Sequence, residues 1–105
     1  MKENVVEKAV RYFNECDLDR LVECWHDDII VYNLKENTVI AKGKALMKEL
    51  TMEECENKDE IIFVENTIEI GNLYIILKKS DKDKKDLSIC EVENDLIKRV
   101  WAVEE

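Results

Sequence analysis

The residues of this chain that could do chemistry are few, and they are scattered along the sequence. Its one histidine, His26, is followed directly by Asp27 and Asp28. A histidine next to a carboxylate suits general acid–base catalysis, but side chains adjacent in sequence rarely point to one spot. The nearest thiol, Cys24, is two positions from His26, and helical side chains at that spacing do not face each other. We interpret the histidine and its neighbours as exposed turn residues, and we predict no Ser-His-Asp set.

The cysteines and glycines form no motif for a metal or a phosphate. The four cysteines, Cys16, Cys24, Cys55 and Cys90, are too far apart for a zinc knuckle, which needs two ligands within about four residues. A phosphate-cradling loop is absent as well, because the sequence has only two glycines. We therefore predict no metal and no cofactor, with the cysteines as buried free thiols in a reducing cytosol.

The charge balance argues against some classes of partner. The sequence has 25 acidic and 16 basic residues, a formal net charge of −9. Nucleic acid and anionic membrane surfaces would repel such a chain, so neither is predicted as a partner. A lysine-rich run at residues 78–85 is interleaved with aspartates, which cancel most of its field. We interpret this run as a solvated hairpin loop.

The composition predicts a single globular domain over residues 1–105. Apolar residues make up 46% of the sequence and charged residues 39%, which fits one packed core with a well-solvated surface. No signal pattern precedes the first amphipathic segment. The longest apolar run is about five residues, against the roughly 20 that a bilayer span needs. We therefore expect a cytoplasmic protein.

The spacing of apolar residues predicts three helices and six strands. Helical periodicity places the helices at residues 3–14, 18–25 and 44–54. β-branched and alternating segments place the strands at residues 29–34, 38–41, 60–70, 73–79, 87–93 and 96–103. The order ααββαββββ predicts an α+β fold, in which three helices from the N-terminal half cover the concave face of a strongly curved antiparallel sheet. The last four strands are predicted to form a meander.

Three strands carry further information about the faces of this sheet. Ile62, Val64, Ile68 and Ile70 have the parity of one face of a long strand. The following strand is apolar at odd and even positions over residues 73–77, which predicts burial on both faces. Strand 87–93 changes its apolar phase midway, which indicates a bulge.

Four short motifs punctuate these elements. They are Cys16-Asp17-Leu18-Asp19 between the first two helices, Trp25-His26-Asp27-Asp28 before a strand, Lys42-Gly43 before the third helix, and a closing hairpin from Glu93-Asn94-Asp95-Leu96-Ile97 to Trp101-Ala102-Val103. With these motifs in this order, nearly the whole chain resembles the nuclear transport factor 2-like superfamily, which includes SnoaL-like and ketosteroid-isomerase-like proteins. The resemblance implies a cone-shaped half-barrel, a cystatin-like α+β barrel with a ligand pocket inside the cone. It also implies a homodimer joined through the outer face of the sheet.

Residue spacing within such a cone gives a list of candidate ligand-binding residues. They are Ala9, Phe13, Trp25, Val31, Asn33, Leu50, Arg99 and Trp101. Most of these side chains are apolar, so we predict a small and largely apolar ligand. The polar exceptions are Asn33 and Arg99.

Arg99 has two alternative placements. If it faces the pocket, a buried guanidinium needs a carboxylate partner, and the ligand would be carboxylate-bearing. If a bulge reverses the phase of the strand, Arg99 faces solvent and pairs with Glu91 or Glu93 across the hairpin. We favour the second placement, because cross-strand charge pairs are common on sheets.

The catalytic positions of ketosteroid isomerases are not retained. Counted from Asp17 and Asp28, the tyrosine and aspartate that this resemblance implies fall on Ala9 and Asn33, and a second oxyanion donor falls near Ser88. Alanine cannot donate a hydrogen bond, and a neutral amide cannot act as a general base. We therefore predict a small-molecule-binding protein without ketosteroid-type catalysis. A SnoaL-like enzyme (an isomerase, dehydratase or hydrolase) and a dimeric protein-interaction module are the alternatives.

Overall fold

A computed structural model describes residues 3–103 of the chain. The helices are α1 (Val5–Glu15), α2 (Leu18–Glu23) and α3 (Lys44–Asn57). The strands are β1 (Trp25–Asn33), β2 (Thr38–Lys42), β3 (Ile62–Ile70), β4 (Leu73–Ser80), β5 (Lys85–Glu93) and β6 (Leu96–Ala102). The predicted order ααββαββββ is confirmed. The predicted domain, 1–105, also includes residues 1–2 and 104–105, which lie outside the described residues. None of the described helices is both long and apolar enough to cross a membrane.

Local side-chain caps fix the two N-terminal helices. Asn4 and Glu7 form a capping box at the start of α1, in which each side chain accepts a hydrogen bond from the other residue's backbone N–H. Cys16 ends α1 in a left-handed conformation with φ of 52°. Asp17 then caps α2 by accepting a hydrogen bond from the backbone N–H of Arg20. In the motif between the helices, Cys16 therefore ends α1 and the next residue, Asp17, caps the start of α2.

The strands form one six-stranded, open sheet in the order β2-β1-β6-β5-β4-β3. Strands β3 to β6 form the predicted antiparallel meander, and β1 with β2 forms a hairpin. The last strand returns to lie between β5 and β1, and it pairs with β1 in parallel. This parallel pair is the one departure from the predicted all-antiparallel sheet, and it joins the hairpin to the meander.

A bulge in β3 corrects the predicted faces of that strand. Val64 pairs with Lys78 and Asn66 pairs with Leu77, so Glu65 is the extra residue in β3. An extra residue moves every later side chain to the opposite face. The prediction that Ile68 and Ile70 share one face with Ile62 and Val64 was therefore wrong. Ile68 and Ile70 point to the outer face of the sheet and are 44% and 61% exposed.

A second bulge lies in the closing hairpin. Arg99 pairs with Glu91 and Ile97 pairs with Val92, which leaves Lys98 as the extra residue. The bulge predicted in β5 therefore lies in β6, where Lys98 is the extra residue. In β5, successive side chains point regularly to opposite faces of the sheet, and both faces carry apolar residues. Together the bulges bend the sheet around the helices, because a bulge increases local twist and curvature.

The two faces of the sheet have different surroundings. On the concave face, α1 and α2 pack on a core that includes Trp25, Ile29, Ile76 and Ile97. In β4, Ile76 is fully buried in this core, while its neighbour Leu77 is 36% exposed on the outer face. The predicted burial of β4 on both faces is therefore found on its concave side, whereas nothing within the described chain covers its outer side.

Candidate ligand-binding site

The inside of the curved sheet contains a cavity of about 530 Å³, bounded by α1, α3 and the concave face. Helix α1 contributes Ala9 and Phe13 to its wall, and the sheet contributes Trp25, Ile29 and Ile76. Trp25 is 4% exposed, so its ring is held by the core and is free of bulk water. Most of the wall is apolar and rigidly packed, which suits an apolar ligand.

One part of the cavity wall is polar, and we call it the polar end. It is formed by the end of α3, the loop before β3, and the facing parts of β4 and β5. Its residues are Glu54, Asn57, Lys58, Glu60, Lys78 and Asp86. Three of them, Glu60, Lys78 and Asp86, also line a smaller adjoining depression. The cavity therefore combines a hydrophobic interior with a charged end.

Most of the polar end is engaged in internal contacts. Lys78 and Asp86 face each other across β4 and β5, with 3.4 Å between Nζ and Oδ2. The Asn57 side-chain amide donates to the Glu53 carbonyl at 2.9 Å. Glu60 differs from these groups, because its Oε2 atom is shielded from solvent and has no hydrogen-bond partner among residues 3–103. A shielded acceptor without a donor is rare in native proteins.

Asn14 holds the polar end against α1. Its side-chain amide donates to the Ile62 carbonyl at 2.7 Å, and its Oδ1 accepts from the Ile62 N–H at 2.9 Å. The Asn14 carbonyl in turn accepts from Lys58 Nζ at 3.1 Å. The ammonium group of Lys58 also lies 5.7 Å from the centre of the Phe13 ring. These contacts fix the segment that leads into β3. Glu60 lies in this segment, two residues before the strand begins at Ile62.

Three of the predicted site residues line the cavity. Ala9, Phe13 and Trp25 all contribute to its wall. Five others, Val31, Asn33, Leu50, Arg99 and Trp101, are not among the lining residues. Each of the five has a local structural reason for its placement.

The bulge at Lys98 explains the two residues of β6. It turns Val100 to the cavity and Arg99 and Trp101 to the outer face. Arg99 donates to Glu91 across the hairpin at 2.6 Å, which is the second of the two placements considered for it. Trp101 stacks on Tyr32 with 5.6 Å between ring centres. The argument for a carboxylate-bearing ligand that rested on Arg99 therefore does not apply to this cavity.

The other three lie beside the cavity. Asn33 ends β1, and its Oδ1 accepts hydrogen bonds from the backbone N–H groups of Lys35 and Glu36, at 3.0 and 3.1 Å. Its amide oxygen therefore closes the β1–β2 turn. Val31 is buried farther along β1, where it pairs with β2 and β6. On α3, the cavity is lined by Met47, Thr51 and Glu54, which lie on one face of the helix. Leu50 lies to the side of this face and does not line the cavity.

The histidine and the cysteines form no catalytic or metal centre. His26 accepts a hydrogen bond from the backbone N–H of Asp28 at 3.0 Å, and its ring does not line the cavity. Its segment belongs to β1 rather than to a turn. Within the described part of the chain, no group of three possible ligands is close enough to hold a metal ion.

The thiols occupy two kinds of environment. Cys24 and Cys90 are buried and free, as predicted, and burial raises the pKa of Cys90 to about 11. Cys16 is exposed, contrary to the prediction, because it follows the last turn of α1. Burial, followed by a hydrogen bond with Cys16, raises the pKa of Cys55 to about 12. Since a raised pKa favours the neutral thiol, Cys55 and Cys90 are poor nucleophiles at neutral pH.

Sequence reasoning missed Glu60, Lys78 and Asn14. Lys78 belongs to the lysine-rich run that is predicted to be a hairpin loop, although it lies two residues after the buried Ile76 and so has the same strand parity. That parity was a readable signal for an inward lysine. Glu60 and Asn14 gave no signal, because one lies in an irregular segment and the other pairs with a strand distant in sequence.

Comparison with known proteins identifies the fold. No family model and no curated protein matches the sequence. The structure is similar to an uncharacterized cystatin-fold protein from Novosphingobium aromaticivorans, with a TM-score of 0.83 and 14% identity over 95% of each chain. It is also similar to an NTF2-like protein of unknown function from Cytophaga hutchinsonii, with a TM-score of 0.66, 23% identity, and coverage of 94% of this chain and 95% of that chain.

A third similar structure is an enzyme. It is an LEH-like epoxide hydrolase from M. tuberculosis, with a TM-score of 0.80, 13% identity, and coverage of 96% of this chain and 80% of that chain. The chain therefore has the NTF2-like fold that its motifs predicted. Identities this low establish the fold, and one fold serves many functions.

Proposed function

We propose that this protein binds a small, largely apolar molecule in the cavity inside its curved sheet. The observation that carries the proposal is the cavity itself, about 530 Å³ in volume with Phe13, Trp25 and Ile29 in its wall. Ligand pockets in proteins typically measure about 300 to 1,000 Å³ and are lined mainly by apolar and aromatic groups. Burial of a matching ligand would remove apolar surface from water on both sides of the contact.

Catalysis is not part of the proposal. Of the polar residues that the sequence offered for it, His26, Asn33 and Arg99 do not line the cavity, whereas Ser88 does. Asn33 and Arg99 are engaged in a turn and a cross-strand pair. Ala9 does line the cavity, where it offers no proton donor. Binding is the activity that the wall composition supports best.

Filling the cavity tests this proposal. Ala9→Phe places a ring in the space beside α1, and we expect it to weaken binding of the apolar dye Nile red by about tenfold or more, equivalent to ~1.4 kcal/mol. The measurement is a fluorescence titration, with circular dichroism to show that the variant is folded. Ala45→Phe is the matched control, because Ala45 is exposed on α3 outside the cavity. Equal dye affinity in both variants would contradict the proposal.

Native mass spectrometry of the purified protein is the companion experiment. A mass above that of the denatured chain identifies a co-purified ligand directly. The identity of that extra mass would define the ligand class.

We also propose that the protein forms a homodimer through the outer face of its sheet. The outer side of β3 and β4 exposes large apolar residues, among them Ile68, Ile70 and Leu77. An apolar patch of this kind marks an interaction surface. A second copy of the chain presents the same patch, which makes a two-fold symmetric contact self-complementary.

A charge on this face should abolish the dimer. Ile68→Lys places an ammonium group against the apolar patch of the second copy. We therefore expect the variant to elute as a monomer in size-exclusion chromatography with light scattering. Because Ile68 is 44% exposed, the monomer should keep its fold. Leu46→Lys is the control, since Leu46 is 41% exposed on α3, away from the sheet face. A wild-type protein that is already monomeric at micromolar concentration would overturn the proposal.

A further inference from the structure

The polar end of the cavity contains one acceptor that the protein itself does not satisfy. Glu60 lines the cavity, and its Oε2 is shielded from solvent without a hydrogen-bond donor among the described residues. Rotation of the terminal carboxyl torsion, which has a broad energy profile, exchanges the two oxygens with little cost. Either oxygen can therefore be presented to a molecule in the cavity.

Several donors of the cavity wall are engaged with other groups, and the nearby Lys82 ammonium group pairs with Asp59. Lys78 pairs with Asp86 at 3.4 Å, and Lys58 donates to the Asn14 carbonyl at 3.1 Å. The Thr51 hydroxyl, deeper on α3, donates to the Met47 carbonyl at 2.7 Å. Each lysine ammonium keeps further N–H donors, but none of them lies within hydrogen-bond distance of Glu60 Oε2 among the described residues. A donor brought by a ligand would occupy that open place.

The charge of the polar end favours a positive ligand group over a negative one. Three carboxyl groups, of Glu54, Glu60 and Asp86, lie there with the ammonium groups of Lys58 and Lys78. The ion pair of Lys78 with Asp86 leaves two carboxylates and one ammonium group in the polar end itself, and the other lysines of the adjoining depression lie outside this count. A carboxylate bonded to a cation makes a shorter and stronger hydrogen bond than one bonded to a neutral donor, and the apolar wall strengthens that attraction.

From this geometry we infer that the cavity takes an amphipathic amine, whose ammonium group binds the Glu60 carboxylate while its apolar body lies against Phe13, Trp25 and Ile29. The inference rests on the proposed ligand-binding function and adds the chemical class of the ligand. It differs from the carboxylate-bearing ligand that an inward-facing Arg99 would have implied. That residue lies on the other face of the sheet, and the cavity's own unpartnered group is an acid.

Three probes with one apolar body separate this inference from the proposed function. They are 1-naphthylmethylamine, which is a cation, 1-naphthalenemethanol, which is neutral, and 1-naphthoic acid, which is an anion. Isothermal titration calorimetry gives the dissociation constant of each. We expect the amine to bind about tenfold tighter than the alcohol, with the acid weakest, since a charge-assisted hydrogen bond is about twice as strong as a neutral one.

The variant Glu60→Gln assigns the preference to one residue. It keeps the shape of the side chain and removes its charge, so we expect the amine to lose about tenfold in affinity while the alcohol changes by less than about threefold. Retained binding of the alcohol shows that the variant's cavity is folded. Glu56→Gln is the matched control, because Glu56 is exposed on α3 and does not line the cavity.

The outcomes distinguish the two claims. If none of the probes binds, the proposed function fails, and the inference fails with it. If the probes bind without a preference for the amine, or if Glu60→Gln leaves the amine's affinity unchanged, the binding function stands and the inference is overturned. An amine preference lost in Glu60→Gln and kept in Glu56→Gln supports both.

Discussion

Replacing Ile76 with alanine is expected to lower the free energy of unfolding by about 3 to 4 kcal/mol. Ile76 is fully buried in the middle of β4, and it lies both in the hydrophobic core and in the cavity wall. The substitution removes three buried carbon atoms' worth of packing. The space left behind joins a cavity that the sheet already holds open, so the surroundings cannot collapse to fill it. Urea denaturation followed by circular dichroism measures the loss.

The same substitution at Ile61 is the control. Ile61 is 47% exposed just before β3, so Ile61→Ala should change stability by less than about 1 kcal/mol. Both variants should be compared at one protein concentration, since a dimer would make stability depend on concentration. Similar losses at the two positions would mean that β4 does not present Ile76 to a packed interior.

Asn14→Ala is expected to destabilise the protein by about 2 kcal/mol. The substitution removes both hydrogen bonds between the Asn14 side chain and the backbone of Ile62. It also leaves a partly buried N–H and carbonyl at the start of an edge strand without their partners. We expect the segment between α3 and β3 to loosen, which can be measured by faster amide hydrogen exchange at Ile62 together with a lower denaturation midpoint.

Asn57→Ala is the control, because it shows how much stability is lost when an asparagine side chain outside this contact is removed. Asn57 is exposed, and its side chain bonds only within α3, to the Glu53 carbonyl. We expect a change within about 0.5 kcal/mol. Equal effects of the two substitutions would show that the bonds from Asn14 to Ile62 stabilise the protein no more than a bond within α3. A selective effect at Asn14, with faster exchange at Ile62, would show that these bonds hold the segment that carries Glu60.

The order of the elements was predictable because each one is specified locally. The capping box of Asn4 and Glu7, the Asp17 cap and the Gly71-Asn72 turn each act over a few residues. Such signals are readable without knowledge of the fold. The closing hairpin and the third helix were predicted for the same reason. Inward placement of Ala9 and Phe13 followed from the helical period of α1.

Side-chain direction in the sheet was less predictable, because it depends on bulges. A single extra residue at Glu65 sends Ile68 outward, and another at Lys98 sends Arg99 and Trp101 outward. Each bulge is a property of the pairing between two strands, so neither strand alone reveals it. Both sides of β3 and β5 also carry apolar residues, which removes the alternation that would otherwise show the phase.

The polar end depended on contacts distant in sequence. Glu60 lies in an irregular segment, and its position is set by Asn14 through the backbone of Ile62. A residue in an irregular segment has no helical or strand periodicity, so nothing in the sequence marks Glu60 as a cavity residue. Lys78 was the exception, because the parity of β4 already placed it on the same side as Ile76.

The parallel pairing of β1 with β6 has a consequence for how the chain folds. Trp25 lies opposite Ile97, so the strand that joins the two parts of the sheet comes from the far end of the described sequence. Contacts between such distant residues require a large loop to close first, which slows folding. We expect the pairing of β6 with β1 to form late, after the β3–β6 meander and the β1–β2 hairpin have formed. Until then the edges of β1 and β6 that later pair are open to other chains.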